Sequence, residues 1–224
     1  MVEILYKNKN LVVINKPVGM PSQKDPSLDT DAMSATGEEL KKLGEPSLLW
    51  LVHRLDRVVG GVLVFARNKE YAARLSSLAS GSLMEKEYIA VVEGEAPGGE
   101  LCDLLYKDAR QGKSFVVDRE RRGAKEARLK YSRIAVCETE RGVRSLVRIR
   151  LETGRHHQIR VQFSSRGMTL LGDGKYGNHD NRAKTPSLFA SRLAFTVGGE
   201  RVSVFATPDL TEYPWSLFDK ELYK

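Results

Sequence analysis

The chain is organised around one segment, Leu51-Val-His-Arg-Leu-Asp-Arg-Val-Val-Gly-Gly-Val-Leu-Val-Phe-Ala66. It places the carboxylate of Asp56 between Arg54 and Arg57, directly before a Val-Val-Gly-Gly turn and an apolar run. Flanking cations keep a carboxylate ionised, so that it can act as a nucleophile or a base. A glycine-rich turn lets another backbone or a ligand come close. A bare Arg-x-Asp-Arg more often forms a surface ion pair, so the meaning of Asp56 depends on the rest of the chain.

The composition is typical of a globular protein. The 224 residues are 41% hydrophobic and 29% charged, and no run approaches the roughly 18 apolar residues that span a bilayer. The N-terminus lacks a basic lead followed by an apolar core, so we expect no signal peptide. Cys102 and Cys137 lie far apart and are expected to be buried or semi-buried reduced thiols, although a bridge between them stays open. These features predict a cytoplasmic protein without membrane contact, and a monomer by default.

The net charge of +7 and the pI of 9.4 indicate a candidate for binding phosphate backbones. Basic residues cluster between positions 107 and 130, which we call the basic segment. They are Lys107, Arg110, Lys113, Arg119, Arg121, Arg122, Lys125, Arg128 and Lys130. Gly112 and Gly123 interrupt the segment, which predicts a basic hairpin or projecting loop. The clustering of these basic residues favours contact with RNA or DNA over a solvent-exposed surface without a binding role.

Hydrophobic patterns predict many strands and few helices. Strands are expected over residues 11–17, 48–55, 62–67, 86–94, 129–136 and 145–151, and a hairpin over residues 187–197 and 201–206. Helices are expected over residues 37–43, 68–81, 157–166 and 213–223, and a loop over residues 18–36. The second helix has Asn68 as its N-cap, Gly81 as its end and an apolar stripe through Tyr71, Leu75 and Leu78. This organisation predicts an α+β fold on a mostly antiparallel mixed sheet, in a single domain over residues 1–224.

The histidines do not form a metal-site pattern. His156 and His157 are adjacent at the start of the helix expected over residues 157–166. Neighbouring side chains on a helix diverge by about 100°, so we expect these two to be poor co-ligands of one metal ion. His53 and His179 complete the set, and no His-x-x-x-His or His-Glu-x-x-His spacing occurs. A Gly-x-x-x-x-Gly-Lys-Ser/Thr phosphate loop is also missing. We therefore expect neither a metal nor a nucleotide cofactor.

A second dense segment runs Glu152-Thr-Gly-Arg-His-His-Gln-Ile-Arg160 and is followed by Gly172-Asp-Gly-Lys-Tyr-Gly177. Gly154 marks a turn out of a strand, and Arg160 lies one turn into the helix that follows. From there its guanidinium could reach inward to a carboxylate, although arginine on an amphipathic helix is more often exposed. The Gly172–Gly177 part is typical of a structural turn in which Tyr176 packs rather than reacts.

Five motifs occur in order from residue 15 to residue 177. They are Asn15-Lys-Pro-Val-Gly19, His53-Arg-Leu-Asp56 with Gly61, Lys86-Glu-Tyr88 running on to Gly94, Gly154-Arg-His-His-Gln-Ile-Arg160, and Gly172-Asp-Gly-Lys-Tyr-Gly177. The Asn-Lys-Pro and Gly-Asp motifs are weak individually. Together, the set resembles the RluA-type RNA pseudouridine synthases and covers most of the chain.

The resemblance implies a pseudouridine synthase fold with a central catalytic cleft flanked by helices and loops. It implies that Asp56 is the catalytic carboxylate, that Tyr88 stacks on or faces the target uracil, and that Arg160 forms an ion pair with Asp56. Arg54 would fill the gap left by the flipped nucleotide. In this reaction uracil leaves ribose at N1, rotates and rejoins through C5, without metal or organic cofactor. Whether Asp56 attacks C1′ or removes the 2′ proton stays open.

The resemblance also implies that the partner is structured RNA, a stem-loop of ribosomal or transfer RNA. The basic segment would then be a finger-like loop that grips it. The expected RNA-contacting residues are Arg54, His53, Arg155, Lys113, Arg121 and Arg122.

Two segments depart from the family pattern. Val59-Gly60 stand where Thr-Ser is usual, so two hydroxyls near Asp56 are missing, and Met20-Pro-Ser-Gln23 replaces the commoner Leu-x-Val-His. The Asn-Lys-Pro strand also begins by residue 15, so we expect no separate N-terminal RNA-binding domain. Target choice is then expected to come from this domain alone or from a partner.

Two other functions compete with this one. The first is a non-catalytic RNA-binding or RNA-folding protein on the same scaffold, but the joint retention of Asp56, Tyr88 and Arg160 favours the enzyme. The second is a hydrolase that uses Asp56 and a histidine, for which no nucleophile, base and orienting group are recognisable together.

Overall fold

The computed structural model describes residues 2–119, 122–177, 180 and 182–223. The chain divides into two compact units. The first comprises Met1–Lys86 and Phe189–Pro208, and the second comprises Glu87–Leu188 and Asp209–Lys224. Within the described ranges, no helix combines the length and the apolar character needed to cross a membrane. The single domain expected over residues 1–224 stays a prediction.

Strands outnumber helices along the described chain. The strands are β1 (Glu3–Lys7), β2 (Leu11–Lys16), β3 (Trp50–Leu51), β4 (Gly60–Ala66), β5 (Glu85–Glu93), β6 (Gly99–Asp108), β7 (Lys113–Val117), β8 (Ala124–Thr139), β9 (Gly142–Leu151), β10 (Leu188–Val197) and β11 (Glu200–Phe205). The α-helices are α1 (Ala32–Lys42), α2 (Lys69–Ser80) and α3 (Gln158–Ser164). Two short 3-10 helices, Trp215–Leu217 and Lys220–Tyr223, follow near the C-terminus.

The first unit is centred on β4, whose seven residues are all buried. Strands β2 and β3 pair with β4 in the antiparallel sense, whereas β10 pairs with it in parallel through Phe189–Gly60 and Ala190–Gly61. Strand β1 extends the sheet beyond β2, and β11 extends it beyond β10. Because the strand that follows Asp56 is held on both sides, the position of the Asp56 loop is fixed by the sheet.

Helix α2 covers this sheet, and its ends agree with the sequence. The Asn68 side chain accepts a hydrogen bond from the Tyr71 N–H at 2.9 Å, and Gly81 caps the C-terminus. Leu75 is fully buried in the core of the first unit, with Tyr71 and Leu78 packed against that core. The predicted amphipathic stripe is therefore confirmed as core packing.

The second unit is a mostly antiparallel sheet in the order β5, β9, β8, β6, β7. Helix α3 packs against β6 and β7. The core beneath it includes Leu105, Ala127 and Val161, with Val116 and Tyr176 packed against them. The predicted α+β fold with a mostly antiparallel mixed sheet is confirmed.

Several boundaries differ from the prediction. Helix α1 begins at Ala32 rather than at residue 37, because Asp31 caps it by accepting from the Ser34 N–H at 3.0 Å. The predicted strand over residues 48–55 is shorter in the structure, where only β3 forms. The predicted helix over residues 213–223 is replaced by two short 3-10 helices. The second begins after Asp219, whose side chain accepts a hydrogen bond from the Glu221 N–H. Strands β1, β6 and β7 were missed because charged and polar residues interrupt their alternation.

Both cysteines are free thiols, so the bridge left open by the sequence does not form. Cys102 is exposed and Cys137 is partly exposed. Burial of Cys102 was therefore wrongly expected, because Cys102 lies on the solvent side of β6.

Gly61 provides a test of the packing at β4. Its φ of +117° disfavours any side chain, and a Cβ there would lie closer than van der Waals contact to the Ala190 carbonyl. Gly61→Ala is expected to lower the free energy of unfolding by about 3 kcal/mol, from strain and overpacking together. The control is Gly44→Ala, where φ is +71° and nothing lies within 4 Å of the new Cβ, for which we expect a loss of about 1 kcal/mol. Urea denaturation followed by circular dichroism measures both, and equal losses would contradict the packing argument.

Candidate active site

Asp56 lies in a short turn between β3 and β4. Leu55 before it is buried, Asp56 is partly buried, and Val59 after it is buried again. The Val59 N–H donates to the Asp56 carbonyl oxygen at 3.0 Å, which closes the turn. The close backbone approach predicted for the glycine pair occurs at Gly61, which lies against Ala190 of β10. The turn thus presents a carboxylate from a fixed backbone.

The Asn15-Lys-Pro motif lies against the same turn. Lys16 is fully buried, and its ammonium donates to the carbonyl oxygens of Pro17 at 3.0 Å, Met20 at 2.7 Å and Arg57 at 3.3 Å. The Gly19 N–H also donates to the Arg57 carbonyl, at 2.9 Å. Residues 16–20 therefore hold the backbone immediately after Asp56.

Lys16 lies beside the Asp56 turn, and the sequence analysis assigned it no role. Burial lowers the pKa of Lys16 to about 8, and the negative charge of Asp56 opposes this shift by raising the pKa. Lys16 is thus a buried cation whose charge interacts with the candidate catalytic carboxylate. The sequence feature that could have indicated the burial of Lys16 is its position at the end of the apolar strand β2.

The arginines that flank Asp56 face different surroundings. Arg54 is exposed, and its contact with RNA stays a prediction. The Arg57 guanidinium donates to the Ser27 hydroxyl at 2.9 Å and forms an ion pair with Asp29. Arg57 therefore ties residues 27–29 to the Asp56 turn, and its charge is balanced by Asp29.

His53 is partly buried. Its Nε2 atom is buried and has no hydrogen-bond partner among the described residues. Burial, followed by the positive charge of Lys86, lowers the pKa of His53 to about 3. The RNA contact of His53 stays a prediction, and it would be made by a neutral ring rather than by a cation.

In the second unit, Arg160 is buried on α3, not exposed on an amphipathic surface. Its Nε and Nη2 atoms donate to Oδ2 and Oδ1 of Asp173, both at 2.7 Å. Both side chains are buried, with 5% and 1% of their surfaces exposed. A bidentate pair of this kind fixes the orientation of the guanidinium. The ion pair between Arg160 and Asp56 that the resemblance implies stays a prediction.

Tyr176 belongs to the same cluster and does more than pack. Its ring lies 5.2 Å from the Arg160 guanidinium carbon. Its hydroxyl accepts from the Ser114 N–H at 2.9 Å and bonds to His157 Nδ1 at 2.9 Å. Tyr176 therefore connects Arg160 to β7, the outer strand of the basic segment.

The predicted divergence of His156 and His157 is wrong. Their rings stack with centroids 3.8 Å apart. The reason is that α3 begins only at Gln158, and His157 has a left-handed φ of +53°, so helical spacing does not apply to this pair. Burial, followed by the charge of Arg160, holds the pKa of His157 well below its usual value.

The remaining predicted site residues also lie in the second unit. Tyr88 is a buried residue of β5. Arg155 is exposed and donates from Nε to the Glu126 carbonyl at 2.8 Å, and the Lys113 ammonium lies 5.8 Å from the centre of the Tyr176 ring. Arg122 is exposed, and Arg121 lies outside the described residues, as does His179.

The basic segment forms β7, the end of β6 and the beginning of β8, so the predicted hairpin is confirmed for its described part. Within the part of the chain that the structure describes, no three His, Cys, Asp or Glu residues are grouped so that they could hold a metal ion.

Residues 10–165 match the family model described as RNA pseudouridylate synthase. The chain belongs to this family. It is 31% identical to tRNA pseudouridine synthase C of Haemophilus influenzae, over 86% of this chain and 83% of that protein. It is 29% identical to ribosomal large subunit pseudouridine synthase D of Borreliella burgdorferi, over 100% of this chain and 69% of that protein.

A solved structure agrees with the fold. Human RNA Pseudouridylate Synthase Domain Containing 4 is 26% identical and superposes with a TM-score of 0.72, covering 93% of this chain and 89% of that one. The RluA-type resemblance is confirmed, and with it the enzyme class, an isomerase.

The low pKa of Lys16 predicts a pH effect on stability. In the folded protein this pKa is about 8, against an ordinary value of 10.5, so between these pH values the unfolded chain binds more protons than the folded one. The free energy of unfolding should therefore rise with pH across this window, by about 3 kcal/mol in total from this group. Lys16→Met should lack that rise. Urea denaturation of both proteins from pH 7.5 to 10.5 measures the difference, and parallel curves would refute it.

Asp173→Asn removes the charge that balances buried Arg160. We expect a loss of about 3 kcal/mol in the free energy of unfolding, because an uncompensated buried cation is costly. Asp103→Asn is the control, since Asp103 accepts two hydrogen bonds from Nη1 and Nη2 of Arg166, whose side chain is 33% exposed, and one from Nε2 of Gln162. That loss should be about 1 kcal/mol. Thermal and urea unfolding compare the two, and equal losses would show that burial of the Arg160 pair is unimportant.

Proposed function

We propose that this protein isomerises specific uridines of structured ribosomal or transfer RNA to pseudouridine, with Asp56 as the catalytic carboxylate. The observation that carries the proposal is the turn at Asp56, whose flanking backbone is bonded on both sides within a family-matched region. The reaction requires a carboxylate beside C1′ and C2′ of an extruded nucleotide, and a preorganised backbone supplies it at a defined position.

The buried Lys16 ammonium supports this role electrostatically. Its three carbonyl partners leave it fixed in place, and its charge interacts with that of Asp56. No organic cofactor enters the proposed step.

Tyr88 and Arg160 complete the proposed catalytic set. In this proposal Tyr88 faces the target uracil and Arg160 forms an ion pair with Asp56. Support for Arg160 comes from its burial and from the bidentate contact with Asp173, which hold the guanidinium in one orientation. A flexible surface arginine could not aim a carboxylate in this way.

RNA contacts are proposed for Arg54 and for four basic residues further along the chain, Arg155, Lys113, Arg121 and Arg122. Exposure of Arg54, Arg155 and Arg122 supports their assignment, because phosphate contacts are made by accessible cations. We further propose that the enzyme acts as a monomer in the cytoplasm. Pseudouridine mapping in cellular RNA with and without the gene would identify the modified uridine.

Asp56→Asn should abolish pseudouridine formation while leaving RNA binding within about twofold. The amide has the same shape but cannot act as a nucleophile or base. The measurement is tritium release from bulk transfer and ribosomal RNA labelled at C5 of uridine, taken from cells that lack the gene. Asp209→Asn is the matched control: this side chain is exposed and accepts from Thr211, and an amide oxygen can keep those bonds.

Normal tritium release by the Asp56→Asn protein would remove the catalytic assignment. Normal binding without any release by the wild-type protein would favour the non-catalytic RNA-binding function. Release of free uracil from the RNA would instead indicate a hydrolase.

A further inference from the structure

The two segments that depart from the family pattern both bond to the backbone of the turn around Asp56, through Ser22 and through Val59. Gly60 begins β4, and a Cβ at this position would come within 2.9 Å of a methyl carbon of Val18 and 3.2 Å of the Lys16 carbonyl oxygen. The larger residue usual in the family would therefore need a shift here. The Asp56 turn thus lacks hydroxyls from positions 59 and 60.

A hydroxyl reaches the turn from the other departing segment. The Ser22 Oγ donates to the Leu55 carbonyl oxygen at 2.9 Å and accepts from the Leu55 N–H at 3.1 Å. Both residues are buried, each with 6% of its surface exposed. One serine hydroxyl therefore satisfies both backbone groups of the residue immediately before Asp56.

Ser22 is itself held by a helix terminus. The Ala32 N–H, at the first position of α1, donates to the Pro21 carbonyl at 2.8 Å, and the buried Asp31 caps the same helix. The hydroxyl is therefore presented from a fixed backbone and not from a free loop. Displacement of the turn at Leu55 is resisted by α1 through the short link of Pro21 and Ser22.

These contacts complete a support around Asp56. The carbonyl after it, of Arg57, accepts from Gly19 and Lys16, and the carbonyl of Asp56 accepts from Val59. Ser22 supplies the corresponding support on the preceding side. We propose that Ser22 is a positioning residue for the Asp56 carboxylate, in a turn that carries no hydroxyl at positions 59 and 60. This inference rests on the proposed function.

Removing the hydroxyl leaves a buried N–H and a buried carbonyl without their bonds. The backbone before Asp56 can then relax, and a displacement of the reacting group by about 1 Å costs about 100-fold in rate. RNA binding should be unaffected, because the Ser22 side chain is buried. The expected signature is a slower chemical step with unchanged binding.

The experiment measures tritium release under single-turnover conditions, with enzyme in excess over bulk transfer and ribosomal RNA labelled at C5 of uridine. Ser22→Ala should lower the maximal rate by about 10- to 100-fold, with the half-saturating enzyme concentration within twofold. Ser22→Thr, which keeps the hydroxyl, should restore the rate to within threefold of the wild type.

Ser145→Ala is the matched control for loss of a buried serine. Its Oγ donates to the Gly94 carbonyl at 2.8 Å and accepts from the Ala96 N–H at 3.1 Å, so it also bonds one backbone carbonyl and one backbone N–H, in the second unit. It should lose a similar free energy of unfolding without the loss of rate. Should Ser22→Ala not fold, Ser22→Cys takes its place, with a rate between those expected for alanine and serine.

A wild-type rate in Ser22→Ala, or in Ser22→Cys where alanine does not fold, would overturn the inference. So would an equal loss of rate in Ser145→Ala, because the effect would then reflect general destabilisation. The proposed function fails separately, through an active Asp56→Asn protein. An inactive Asp56→Asn together with a fully active Ser22→Ala would reject only the role of Ser22.

Discussion

The buried ammonium of Lys16 is the interaction on which the first unit depends. It lies at the end of β2, bonded to three carbonyl oxygens, one of which belongs to Arg57 directly after Asp56. Burying this charge is expensive, and the lowered pKa reports that cost. The benefit of this burial is geometric, because the Lys16 ammonium joins the end of β2 to the turn that leads into β4. A hydrophobic residue could fill the volume but could not hold three carbonyls.

The second unit uses a buried ion pair for a similar purpose. Arg160 and Asp173 meet across the α3 helix and the Gly172 turn, and Tyr176 lies over the guanidinium. A buried pair adds little net stability compared with well-packed apolar residues, because both charges lose their hydration. The pair instead fixes the orientation of the Arg160 guanidinium. The Tyr176 hydroxyl accepts from the Ser114 N–H and bonds to His157, and these bonds extend the fixed arrangement to the hairpin of the basic segment.

The departures from the family pattern are local and lie around one turn. Gly60 leaves room for Val18, and Ser22 provides a hydroxyl to the backbone on the other side of Asp56. The backbone groups of Leu55 are thus satisfied in a turn that has no hydroxyl at positions 59 and 60.

The sequence by itself determined the family, the α+β class, the Asn68 cap, the β10–β11 hairpin and an inward-facing Arg160, because these depend on local periodicity, capping chemistry and motif order. Only the tertiary structure revealed Asp173 as a partner of Arg160, the burial of Lys16, the stacking of His156 on His157 and the bond between Ser22 and Leu55. Each of these depends on backbone conformation or on residues brought together by chain folding, and the distance between such residues is set by sheet register and turn geometry. No spacing in the linear sequence encodes that distance.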